Sequence, residues 1–250
     1  MKPLLLLDGD LILYRNTIAC EKEIQWDEQN WVLFLNAENA WDNIQSAIEN
    51  IKKDLESDRV VLTFSQGRSF RYDLLPTYKS NRKDLRKPLG YSSLVERAKS
   101  FYKWRSFDGL EADDVMGILA TNPANTSAII VSDDKDMKTI PGLLYRQGEL
   151  HTITQEQADY WHLFQTLVGD PTDGFTGMPG CGPKTAERLL TGSVEPWRAI
   201  VEAFEAKGLT EDDALTQARL ARILRTSEWD TKNKEIKHWT PPIHTPIMSK

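Results

Sequence analysis

Only two cysteines, Cys20 and Cys181, occur among the 250 residues, 161 positions apart and with no Cys-x-x-Cys pair. This spacing indicates neither a disulfide framework nor a cysteine zinc site. Histidine is scarce too: His151, His162, His238 and His244 stand at no metal-ligand spacing, which argues against zinc and against histidine acid-base chemistry. Long apolar runs are missing. The first, Leu4 to Leu7, meets Asp8 and Asp10 at once; it is too short and too acidic for a signal peptide or a membrane span. No membrane contact is expected, and a reducing cytoplasm is the expected location. Neither a Gly-x-Ser-x-Gly elbow nor a phosphate-loop Gly-Lys-Ser/Thr is present, so the chain lacks two common devices for nucleophilic and nucleotide chemistry.

The composition, 40% hydrophobic and 27% charged, suits one large core or two closely joined domains. A net charge of −6 looks wrong for a nucleic-acid binder, but the charge is unevenly placed. Between Gly67 and Arg105 eleven Lys or Arg face three acids, giving that segment +8 and leaving −14 for the rest. Such asymmetry fits a protein that holds cations in one place and a polyanion in another, although a solvated basic helix would look the same.

Four short apolar runs read as buried strands: Leu4 to Leu7, Val60 to Phe64, Ala128 to Val131 and Leu143 to Tyr145. Between the first two, Trp31 to Leu55 has apolar residues near the helical period and predicts one or two amphipathic helices. Strands alternating with helices imply an α/β fold with a parallel sheet covered on both faces, and a ligand crevice beyond the carboxyl ends of the strands. After about Thr166 the pattern becomes a glycine-rich turn and helices, with a capping box at Thr210 to Asp213 and no strand. The tail from Trp239 to Lys250 contains Pro241 and Pro242 and reads as irregular.

The acids gather where that crevice is expected. Asp8-Gly9-Asp10 ends the first strand, Glu111-Ala112-Asp113-Asp114 opens a helix, Ser132-Asp133-Asp134-Lys135-Asp136 follows the third run, and Gly169-Asp170-Pro171-Thr172-Asp173-Gly174 opens the glycine-rich turn. Taken singly, each has an ordinary reading as a turn or a helix cap. Capping needs one or two acids, however, and three carboxylates within four residues repel one another unless a cation lies among them. An all-oxygen site of this kind suits two Mg²⁺ or Mn²⁺ ions, an arrangement typical of phosphodiester hydrolysis that needs no nucleophile from the protein.

Two segments read as nucleic-acid contacts. Gly177-Met178-Pro179-Gly180-Cys181-Gly182-Pro183-Lys184-Thr185-Ala186 suits a hairpin between helices, where backbone N–H groups and Lys184 would receive a phosphate without reading bases. Its carbonyls offer a place for a monovalent cation such as K⁺. The other segment runs from Leu75 to Lys83; on a helix its Lys79 and Arg82 would point together toward phosphate. Tyr78 or Trp104 is a candidate for stacking on an unpaired base, though aromatic residues are more often buried.

Leu7-Asp8-Gly9, Tyr78-Lys79-Ser80-Asn81-Arg82, Glu111 to Asp114, Ser132 to Asp136 and Gly169-Asp170-x-x-Asp173 together resemble the 5′-nuclease (flap endonuclease, PIN-like) superfamily. Gly90-Tyr91, Lys135 to Pro141, Trp161 to Thr166 and Ala221 to Arg225 are similar, within it, to the 5′→3′ exonucleases of short-tailed coliphages. The resemblance spans about Leu4 to Trp239. It implies a PIN-like α/β nuclease domain over 1–165 that includes a basic arch at about 67–105. A helical DNA-binding region follows over 166–250, with a helix-three-turn-helix element at about 167–190. Carried over, Asp8, Glu111, Asp113, Asp114, Asp134 and Asp136 would surround the metals, Asp170 and Asp173 would complete the second site, and Lys79 and Arg82 would act on the scissile phosphate. Arg15, Tyr78, Lys83, Gly177, Gly180, Gly182, Lys184 and Thr185 would contact DNA, while Asp10 and Asp133 would sit outside the metal shell. Cys181 replaces an apolar residue in the hairpin.

The activity so implied is a Mg²⁺-dependent 5′→3′ exonuclease acting on duplex DNA ends, with flap and RNA-primer cleavage on an RNA:DNA hybrid, in phage replication or recombination. The protein would be a monomer in the host cytoplasm, with contacts to replication proteins. Two alternatives are a structure-specific DNA-binding module without catalysis, which has no need of eight carboxylates, and a phosphatase using Asp8 and Asp10, which leaves the hairpin and arch unexplained.

Overall fold

The computed structural model describes residues 2–242. Strand β1 (Leu4–Asp8) runs into helix α1 (Gly9–Ile18), and a two-stranded ribbon of β2 (Glu21–Gln25) and β3 (Trp31–Leu35) precedes α2 (Ala37–Asp54). Next come β4 (Val60–Thr63), the short α3 (Arg71–Leu74), α4 (Tyr91–Phe101), β5 (Trp104–Arg105), α5 (Ala112–Ala120) and β6 (Ala128–Val131). A hairpin of β7 (Gly142–Arg146) and β8 (Glu149–Ile153) leads to α6 (Gln155–Val168), α7 (Pro183–Leu190), α8 (Pro196–Glu205) and α9 (Glu211–Ala221). A small ribbon, β9 (Trp229–Asp230) with β10 (Glu235–Ile236), follows. Among the described residues no helix is long and apolar enough to cross a membrane.

The main sheet has the order β5-β4-β1-β6-β7-β8, parallel except for β8. The unbroken apolar run of β1 follows from burial on both faces. Leu5 and Leu7 pack with α1, α2 and α4 through Leu13, Ile44, Ile48 and Leu94. Leu6, pointing the other way, meets Met116 of α5, Ile130 and Leu144. Alternation along a strand sends successive side chains to opposite faces, so a strand covered twice is apolar throughout. A second core joins α6 to α9 through Leu167, Ala186, Ile200, Phe204 and Ala214. Helix α6 runs unbroken through residue 165, where the two regions were expected to divide.

Three elements differ from the sequence reading. Trp31–Leu35 is strand rather than helix, paired with β2 around a turn in which Asp27 Oδ1 accepts from the amides of Gln29 and Asn30 at 2.9 Å each. Val32 and Leu35 fit a helical spacing, but tertiary pairing decided the outcome. Second, β8 joins β7 across Gln147 and Gly148, both at positive φ (53° and 82°), which is the backbone of a two-residue hairpin turn. Third, the C-terminal region is not strand-free, since it contains β9 and β10. The capping box is present, with Thr210 Oγ1 accepting from Asp213 N at 3.2 Å. The expected irregular tail has no regular structure from Lys237 to Pro242, and residues 243–250, His244 included, lie outside the described residues.

Candidate active site

The parallel strands deliver the acids to one edge. Asp8 is the last residue of β1, and Gly9 turns the chain there because no side chain fits: a Cβ would lie 2.7 Å from both Thr63 O and the Phe64 ring. Asp8 caps α1 by accepting from Leu11 N at 2.9 Å. Asp134 follows neighbouring β6 and accepts from Asp136 N at 2.8 Å, which shapes the 3-10 turn Lys135–Thr139. Asp113 lies in the first turn of α5.

These side chains sense one another. Burial raises Asp8 to about 7, assisted by the charges of Asp10 and Asp134. Asp113 is pushed well above its ordinary value by burial and then by Asp8, Asp134 and Glu111. Asp136 rises to about 6 through burial and the neighbouring Asp134. Buried like charges that oppose one another's ionisation call for a cation among them. The donor set, carboxylate oxygen alone, matches a hard divalent ion. Among the described residues no three such side chains already close on a single point, so they would have to draw together around an ion.

A second tier of acids is already neutralised. Burial would raise Glu111, but Arg71 and Lys79 outweigh it and hold the carboxyl at about 2; Arg71 Nη1 donates to it at 2.8 Å, and Lys79 ion-pairs with its other oxygen. Asp173 accepts from Arg82 Nη2 at 2.6 Å and from the Tyr78 hydroxyl at 2.9 Å, with Lys79 Nζ at 3.5 Å. Asp170 is buried, which alone would raise it, yet Lys135 at 2.8 Å and the amide of Thr172 keep its carboxyl below the usual value. Asp10 accepts from Ser65 N at 2.8 Å and Asp133 from Arg15 at 2.7 Å, both outside the inner group.

Several expected site residues stand elsewhere. Asp114 is fully buried and gives both oxygens to Arg71, at 2.7 and 2.9 Å, while also accepting from Leu224 N at 3.1 Å. It is a structural carboxylate, turned from Asp113 by one residue of helix. Tyr78 is 1% exposed and packs with Phe175 and Leu220, so its ring is closed to a base; its role is the hydroxyl shared by Glu111 and Asp173. Lys79 and Arg82 both reach Asp173, Lys79 capping and Arg82 ending the 3-10 turn Ser80–Arg82 rather than sharing an α-helix, with Lys79 at φ 50°. Lys83 is exposed beside them. Gly177 lends no amide to the surface, because its N–H donates to Gln217 Oε1 at 2.8 Å. Gly180, Gly182 and Lys184 are exposed and Thr185 half-buried at the start of α7.

Three residues at the site are given no role by the sequence reading, although Asn81 and Gln165 fall within motifs of the resemblance. Arg71 binds Glu111, Asp114 and the carbonyls of Leu220 and Arg222. Asn81 Nδ2 donates to Pro171 O at 3.1 Å, joining the two loops. Gln165 donates to Asp136 from α6. Each is polar in a segment where polarity alone signals nothing; for Arg71, the neighbouring apolar Phe70 and Leu74 were the available hint of burial.

The geometry has counterparts. The family model described as 5′-3′ exonuclease, N-terminal resolvase-like domain, matches residues 3–157. The exodeoxyribonuclease of Enterobacteria phage T3 is 35% identical, over 96% of this chain and 93% of its own. The exonuclease of Escherichia phage T7 is also 35% identical, over 96% and 94%. Among solved structures, the bacteriophage T5 flap endonuclease in complex with DNA and metal ions superposes with a TM-score of 0.63, at 16% identity over 88% of each chain. The catalytic core of Rad2 with DNA substrate gives a TM-score of 0.53, at 11% identity over 83% of this chain and 66% of that one. At these identities the solved structures establish the fold alone. The family match and the two phage sequences go further, and with acids at the edge of a mainly parallel sheet they show that this chain belongs to the 5′-3′ exonuclease family.

Proposed function

We propose that this chain hydrolyses phosphodiester bonds from the 5′ ends of duplex DNA, and at 5′ flaps, with two Mg²⁺ or Mn²⁺ ions. The observation that carries the reading is the gathering of Asp8, Asp113 and Asp136 around Asp134 at one sheet edge, where burial and then the Asp134 charge raise all three, an arrangement whose repulsion a divalent cation would relieve. The T5 protein, described with DNA and metal ions, supports it by fold.

Asp8, Asp113 and Asp134, with Glu111 beside them, would hold one ion, and Asp136, Asp170 and Asp173 the other. Such ions, when bound, activate water and stabilise charge on the scissile phosphate and leaving oxygen. The remaining work belongs to the chain. Lys79 and Arg82, now on Glu111 and Asp173, are placed where an incoming phosphate would compete for their donors. Arg71 fixes Glu111 from behind. Gly180, Gly182, Lys184 and Thr185, at the start of α7, would receive the duplex backbone, and the exposed basic stretch 82–87 would guide the 5′ strand.

The test uses 5′-labelled blunt, recessed and flapped duplexes, with and without Mg²⁺, beside Asp134→Ala. Release of short products from the 5′ end only with metal, and a loss of at least a thousandfold in Asp134→Ala, is expected. Metal-independent cleavage, or full activity in the variant, would overturn the proposal. An RNA:DNA hybrid belongs in the same series, because the proposed contacts are to phosphates that both strands share.

A further inference from the structure

Beside the acids, on the β7–β8 edge, lies a cleft of about 600 Å³ that the catalytic reading leaves unused. Trp161 of α6 lines it, with Lys138, Arg146, His151 and Gln157 around it and one acid, the exposed Glu149, 3.8 Å from His151. Two features set it apart from an ordinary surface groove. The first is the state of its cations. At the acidic edge Lys79, Arg82, Lys135 and Arg15 each stand on a carboxylate. Neither Lys138 nor Arg146 is in ion-pair contact with a carboxylate among the described residues, although the Asp133 carboxyl, paired with Arg15, feels the charge of Arg146. Lys138 Nζ lies 4.8 Å from the centre of the Trp161 ring instead, and Arg146 is held by Nε donating to Asp133 O at 3.0 Å.

The second feature is continuity. Lys138 belongs to the same 3-10 turn as Asp136, and Arg146 is anchored on Asp133, so the wall of the cleft is the back of the acidic turn. Gln157 Oε1 accepts from Thr154 N at 2.9 Å, which leaves its amide N–H groups as donors. Cations and amide donors beside an indole match a phosphate joined to a base. A concave site admits one splayed nucleotide more readily than the ridge of a duplex.

We infer that the Lys138–Trp161–Arg146 cleft binds a nucleotide, its base against Trp161 and its phosphate between Lys138 and Arg146. The inference rests on the nuclease reading only in that the neighbouring acids work on nucleic acid. The nucleotide comes either from an unpaired strand leaving the active site or from released mononucleotide product.

Binding of a short fluorescein-labelled oligothymidylate, followed by anisotropy in EDTA across a salt series, separates these outcomes. Lys138→Gln should weaken binding about threefold to tenfold and lower the slope of log K against log salt by about 0.7, the value for one phosphate contact on a single strand. Trp161→Leu should weaken it about tenfold with the slope unchanged. Trp161→Phe keeps packing against Tyr160 and Phe164 and should lose less, which covers the case in which the leucine variant is unstable. Competition by dAMP that Trp161→Leu abolishes identifies free product as an occupant; failure of dAMP to compete while the variants weaken oligonucleotide binding identifies a strand. The inference is overturned if Lys138→Gln behaves as Lys232→Gln, a remote exposed control, and the Trp161 variants bind as the parent does. Cleavage of duplex ends with Mg²⁺ is scored separately, so a catalytic failure would count against the nuclease reading and leave the binding result legible.

Discussion

Gln165 donates its side-chain N–H to Asp136 Oδ1, tying the last turns of α6 to the acidic turn behind β6. The other amide atom, Gln165 Oε1, is buried without a partner, so the side chain is committed to Asp136 rather than to a network of its own. A residue that orients a metal-holding carboxylate commonly controls metal affinity or activity by about 10- to 100-fold. Gln165→Leu is expected to raise the Mg²⁺ concentration for half-maximal cleavage within that range. Terbium binding followed by luminescence should weaken in parallel. Unchanged metal dependence in a folded variant would remove Gln165 from the site.

Adjacent acids of α5 should answer substitution with opposite signs. Asp114 is paired and buried with Arg71, and Asp114→Asn leaves that guanidinium with the Glu111 carboxylate, which Lys79 also claims, as its remaining counter-charge. A loss of about 3 kcal/mol is expected, the usual scale for breaking a buried pair from one side. Asp113 is crowded by Asp8, Asp134 and Glu111. Asp113→Asn relieves that repulsion and should raise the thermal midpoint of the metal-free protein at pH 8 by a few degrees, while abolishing cleavage. Thermal unfolding in EDTA reads both; equal destabilisation of the two variants would contradict the assignment.

That contrast marks the limit of what the sequence made legible. The four apolar runs became β1, β4, β6 and β7; in β1, β4 and β6 burial on both faces leaves a continuous apolar signature in a single strand. Which face of α5 each acid occupies depends on Arg71, which lies 43 positions from Asp114, and no local pattern encodes that pairing. The ribbon of β2 and β3 was hidden for another reason. Its strands carry exposed apolar residues, Trp31 among them at 59%, so periodicity reported hydrophobicity without burial. The turn before β8 was half-readable, since Gly148 suits positive φ while Gln147, also at positive φ, carries none of the Asn, Asp or Gly chemistry that marks such turns.

His162 makes stability depend on pH in a defined direction. It is wholly enclosed, and burial, with Arg222 nearby, depresses it from its ordinary value to about 3; its Nε2–H donates to Ala218 O at 2.8 Å. The unfolded chain takes up a proton near pH 6.5 that the folded chain refuses until about pH 3. The contribution is therefore complete above about pH 6.5, declines by about 1.4 kcal/mol per unit below it, and is constant once both states are protonated. His162→Gln retains a donor toward Ala218 and should flatten that part of the profile. Denaturant unfolding between pH 7 and pH 4 provides the comparison, and parallel profiles for parent and variant would show that His162 does not carry the effect.

Gly177 and Gly180 share the left-handed backbone region, with φ of 62° and 73°, but differ in what surrounds them. A Cβ on Gly177 would lie 2.4 Å from the amide of Gly169 and 2.5 Å from Leu167 O, backbone atoms that cannot move without breaking the end of α6. On Gly180 it would meet nothing within 4 Å. Gly180→Ala should therefore cost only the conformational penalty, about 1–2 kcal/mol, and leave enough folded protein for a duplex-binding measurement. Gly177→Ala adds a steric clash to the same penalty and should cost well over 3 kcal/mol, on the order of the largest single-residue effects. It should also displace Asp170 and Asp173, which the same loop carries. Urea unfolding of the two variants discriminates these origins. Equal losses would mean that backbone conformation alone fixes both glycines, whereas a clearly larger loss in Gly177→Ala would assign that glycine to the close approach of two chain segments.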